Sequence, residues 1–65
     1  MAEFDLDAAR QNFAELTGLF EDAALVASEG QGISGLDDGR RHFKRMAKTM
    51  LRIHERLIIL EGHLQ

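Results

Sequence analysis

The chain has no cysteine, no proline, no tryptophan and no tyrosine. It also has no apolar run approaching the ~20 residues that a membrane-spanning helix needs. Without cysteine there is neither a disulfide nor a thiolate metal site, two of the usual supports for a chain as short as 65 residues. A core this small is marginal by itself, which leaves association with another chain as the expected remedy. The opening MAEFDLDAAR begins with acids and lacks the basic-then-apolar order of a secretory signal, so a soluble cytoplasmic protein is expected. A net charge of −3 argues against a surface that binds nucleic acid over its whole area. The missing proline, scarce β-branched residues and plentiful Ala, Leu, Glu and Arg favour helix throughout.

Two stripes carry the fold class. Leu6, Ala9, Phe13, Leu16, Phe20, Ala23 and Ala27 follow one another in alternating steps of three and four, as do Phe43, Met46, Met50, Ile53, Leu57, Leu60 and Leu64. That alternation keeps side chains on one face of a helix. Asp5 is placed to cap the first helix, with Asp7 in its first turn where the dipole favours an acid. Between the stripes lies GQGISGLDDG, rich in a residue that ends helices and tolerates positive φ. Ser34 or Asp37 is placed to cap the second helix. The spacing therefore predicts one domain over residues 1–65: helix 1 at about 5–28, a Gly-rich loop at about 29–37 and helix 2 at about 38–64. Folding the chain back near Ile33 sets Ala23 opposite Phe43, Phe20 near Met46, Phe13 near Ile53 and Ala9 near Leu57, so that large residues face small ones.

A two-helix hairpin has one seam, and the apolar residues exceed it. Leu19 and Val26 on helix 1, and Ala47, Leu51, Ile58 and Ile59 on helix 2, flank the stripes and are the expected protein interface. The expected architecture is all-α: an antiparallel helical hairpin that dimerises into a four-helix bundle.

Motifs for chemistry are few. Gly30, Gly32 and Gly35 spell G-x-G-x-x-G, but a dinucleotide loop follows a strand inside a βαβ unit, whereas a helical stripe precedes these glycines. They read as a hinge. His42, His54 and His63 have no i, i+4 pairing and no E-x-x-H partner, so no metal ligand set is expected. His54 and Glu61, one heptad apart beside the stripe, suit a polar layer. The hydroxyls Thr17, Ser28, Ser34 and Thr49 have no recognisable base and orienting acid, so no catalytic residue and no cofactor are expected.

Charge is unevenly shared. Seven of the eight basic residues lie between Arg40 and Arg56, and seven of the eleven acids precede Gly30. Arg41, Lys44, Arg45, Lys48 and Arg52 fall on outward positions of helix 2, a stripe suited to phosphates or an acidic partner and equally to plain solvated surface. No aromatic residue lies on it to stack a base. Gly18, mid-helix, costs about 1 kcal/mol against alanine. The reading that follows is a small non-enzymatic protein-interaction or regulatory module, a homodimer without cofactor, with a nucleic-acid-binding regulator as the alternative and a further protein partner left open.

Overall fold

A computed structural model describes residues 5–64, so the first four residues of the opening stretch lie outside it. Two helices, α1 (Leu6–Gly30) and α2 (Leu36–His63), pack against each other as a hairpin. Both run further into the glycine-rich stretch than their stripes suggest, leaving only residues 31–35 as loop. Asp5 caps α1 as expected, its carboxylate accepting the Ala8 N–H at 3.0 Å. The cap of α2 is different. Gly35 occupies the cap position with extended backbone and no side-chain bond, while Asp38 reaches back to accept the Ser34 N–H at 3.0 Å. Neither Ser34 nor Asp37 is the cap.

The loop glycines do not supply positive φ, since no described glycine has it. Two of them matter for proximity instead. A Cβ on Gly30 would sit 3.4 Å from the His42 ring, and one on Gly39 would sit 3.2 Å from Ile33 Cδ1. The first is an ordinary contact, whereas the second is tight enough that Ile33 would have to give way.

Heptad letters describe the seam best. With Leu6, Phe13, Phe20 and Ala27 at position a of α1, Ala9, Leu16 and Ala23 occupy d, and Asn12, Leu19 and Val26 occupy g. In α2, Leu36, Phe43, Met50, Leu57 and Leu64 take a, Met46, Ile53 and Leu60 take d, and His42, Thr49, Arg56 and His63 take g. The hairpin packs d and g. Ala9, Leu16, Ala23, Ile53 and Leu60 form the core, with Leu19 and Met46 against it. Position a is left out: Phe13, Phe20, Phe43 and Met50 are 55 %, 53 %, 73 % and 47 % exposed. Half of each stripe thus faces away from the sister helix, because a stripe three to four residues wide can turn either of its edges toward one neighbour.

This rotation also overturns the size-matched pairing. Arg56 reaches Asn12 and Glu15, and Glu29 meets Arg45 and His42. Phe13 therefore lies level with the turn beyond Ile53, and the helices are shifted by about one turn from the register that large-against-small packing predicts.

Candidate interaction surfaces

The g positions make the seam partly polar, and each polar group there has a local answer. Asn12 is buried; its Nδ2 donates to the Ala8 carbonyl at 2.8 Å and its Oδ1 accepts from Arg56 Nη1 at 3.1 Å. Arg56 Nη1 also meets Glu15 Oε2 at 2.7 Å, so one guanidinium bridges two residues of α1. Thr49, also buried, donates its hydroxyl to the Arg45 carbonyl at 3.0 Å. His42 is the exception. Its Nε2 is buried without a hydrogen-bond partner, the nearest carboxylate oxygen of Glu29 being 3.9 Å away.

Because the helices are antiparallel, equal heptad letters fall on the same side of the hairpin. The two rows of a residues therefore form one long apolar face, flanked by Ala47, Leu51 and Ile58. At the loop end, Ala27, Ile33, Phe43 and Met46 line a single apolar hollow on it. The c and f positions form the opposite, charged face, where Asp22, Leu25, Arg45, Lys48 and Arg52 line another hollow.

This geometry divides the residues expected at a protein interface. Leu51, Ile58 and Ile59 are exposed, at 56 %, 59 % and 45 %, and so is Ala47. Val26 is buried and Leu19, partly buried, packs on the core, so the hairpin itself takes up much of both. Ile59 stands at position c, on the charged side, away from Ile58. Sequence periodicity missed the exposure of position a, because it assigned those residues to the hairpin's own core.

The expected basic stripe divides as well. Arg41 pairs with Asp38 at 3.3 Å and Arg45 with Glu29 at 3.1 Å. Lys44, Lys48 and Arg52, together with Arg40, make no ion pair among the described residues. The Ser34 N–H holds the Asp38 carboxyl below the ordinary carboxylate value, with the Arg41 charge adding to this and partial burial opposing it. His54 and Glu61, expected as a polar layer, are exposed at position e beside the open apolar face.

Among the described residues no three His, Cys, Asp or Glu side chains stand close enough to hold a metal, and no helix is long and apolar enough to cross a membrane. No protein-family model, curated protein or solved structure matches the chain.

Proposed function

We propose that the chain works as a homodimer, two hairpins closing their apolar a faces into a four-helix bundle, and serves as a small non-enzymatic interaction or regulatory module in the cytoplasm. One observation carries this: the a positions of both helices are exposed in the hairpin, on one side, at regular heptad spacing. Phe20 and Met50, midway along their rows, lie at the same level of the hairpin. A two-fold axis between them sets a against a on every layer.

The exposed area supports a second copy as the occupant. The hairpin exposes 5173 Å2, whereas a compact monomer of its mass exposes about 4200 Å2. The excess of about 1000 Å2 is close to the ~800 Å2 that each partner of a standard interface buries. The radius of gyration of 15.4 Å exceeds the ~11 Å of a compact domain of this length. The hairpin has the proportions of half a domain. Position e, the flank on the open side, supplies Ala24 and Ala47, small enough for a close neighbour.

Sedimentation equilibrium decides the matter. The wild type is expected at twice 7.3 kDa, and Phe20→Glu with Met50→Glu as a monomer. Ile59→Glu, on the opposite face, is expected to leave the dimer intact. A helical wild type that remains monomeric at tens of micromolar, or a dimer indifferent to the Phe20 and Met50 changes, overturns the reading.

A further inference from the structure

The outer surface of α2 holds a feature that dimerisation does not explain. Arg40, Lys44, Lys48 and Arg52 recur every fourth residue of α2 and are all exposed. Successive members stand about 6 Å apart along the axis, and the row spans about 18 Å, turning slowly around the outer side of the helix. None of the four pairs with an acid among the described residues, whereas the neighbouring Arg41, Arg45 and Arg56 all do. The paired cations lie toward α1 or at the helix start, where acids are within reach. The unpaired row turns away from α1 over most of its length. Asp22 shares a hollow with Lys48 and Arg52 without pairing with either, and Glu55 follows the end of the row.

Like charges four residues apart on a helix repel and weaken it. A row of four such charges, left unanswered by the protein's own acids, fits an external anion with charges repeated at close spacing. We infer that this row binds the phosphate backbone of a nucleic-acid duplex without reading its sequence. Duplex phosphates carry a dense, regular line of negative charge, and lysine and arginine engage them by charge alone. Phe43, 73 % exposed beside Arg40 and Lys44, stands at position a and is covered once two copies close. The proposed dimer therefore leaves the row no free ring to stack an unpaired base, which disfavours single strands. Ile33, Leu36 and Phe43 beside Arg40 and Lys44 belong to the apolar side that the second copy covers. Leu25 is the one exposed apolar residue in the hollow of Lys48 and Arg52, too little to centre a protein interface, which disfavours an acidic protein. Lys44, Lys48 and Arg52, at positions b, f and c, stay outside a bundle closed through position a, while Arg40, at e, borders the closed face.

The test is titration of labelled duplex RNA and duplex DNA by fluorescence anisotropy over a range of salt, with helicity checked by circular dichroism. Four phosphate contacts on DNA give a slope of log K against log salt of about −3.6. Lys44→Gln with Lys48→Gln is expected to make that slope shallower by about 1.8. Arg45→Gln, which removes a cation already held by Glu29, is expected to leave it within error. Three outcomes overturn the inference: no binding of either duplex at ~50 mM salt, a slope indifferent to the double lysine change, or displacement of the duplex by poly-glutamate as effective as by unlabelled duplex. The last would assign the row to an acidic protein.

Discussion

The two long faces of the hairpin are built on the same heptads and face solvent alike, yet they handle exposure in opposite ways. The charged side resolves itself where it nears the seam: Glu29 draws in Arg45 and Arg56 bridges Asn12 and Glu15, so acids of α1 answer the cations of α2 that they can reach. The apolar face has no such internal answer. Phe13 and Phe20 on α1, and Phe43, Met50 and Leu57 on α2, stand in line and project from the hairpin. An ion pair is completed by one neighbour, whereas an aromatic row needs a whole surface laid against it. That difference is why the seam can be half polar. With Asn12, His42, Thr49 and Arg56 occupying much of it, the hairpin's own core is thin, and the larger apolar residues are held on the open side.

The comparison breaks most sharply at Phe20. In a solitary hairpin Phe20→Ala removes a side chain already 53 % exposed, and stability should change by about 0.5 kcal/mol or less. In a bundle the same change excavates the centre of the interface, and a loss of about 3–5 kcal/mol is expected by urea denaturation at fixed protein concentration. The midpoint should then depend on that concentration. Ile53→Ala supplies the contrast within the seam. Ile53 is 3 % exposed in the single hairpin, so a loss of about 2–5 kcal/mol is expected whether or not a second copy binds. Phe20 losing far less than Ile53 would mean that the open face stays open.

Much of this was legible in the sequence. The alternating steps from Leu6 to Ala27 and from Phe43 to Leu64 gave two helices, and Asp5 gave the first boundary. What the stripes could not give was the rotation of each helix about its axis. Periodicity marks a face without saying which of its edges meets the sister helix and which meets something else. In the hairpin d and g turn inward, and the buried Asn12 and Thr49 at g carry no apolar signal that would mark that edge. Asn12 and Arg56 were missed for a related reason. As polar residues they read as surface, and only their distance across the seam reveals that they satisfy each other. Lys44 and Arg45 differ in the same way, because outward letters alone do not say which cation finds Glu29.

Gly18 sharpens the comparison on the outer side of α1. No atom comes within 4 Å of a Cβ built there, so no close neighbour in the hairpin explains the glycine. Gly18→Ala should raise stability by about 1 kcal/mol through helix propensity alone. Position f stays outside a bundle closed through position a, so the gain is expected in the dimer too, read as a higher urea midpoint. A loss would show that something packs against Gly18 that neither the hairpin nor the bundle supplies.

The smallest expected effect lies where the charged face begins. Asp38 stands at position c, ties the loop to α2 through the Ser34 N–H and Oγ, and meets Arg41. Its carboxyl is held below the ordinary carboxylate value chiefly by the Ser34 N–H. A lowered value in the folded state means that the ionised form stabilises the fold. That contribution is complete above the ordinary carboxylate range and disappears as the pH falls through the lowered value. Asp38→Asn keeps the shape and removes the charge. Its melting temperature is expected to lie slightly below the wild type's at neutral pH, and the gap should close as the pH is lowered past that range. The exposed site keeps the effect small and sensitive to salt. The apolar face offers no counterpart, because its a positions carry no titratable group: Phe20→Ala should shift the melting temperature by the same amount across this acid range. A Phe20→Ala shift that follows the Asp38 titration would mean that closing the apolar face depends on how the start of α2 is fixed, and the two faces would then not be independent.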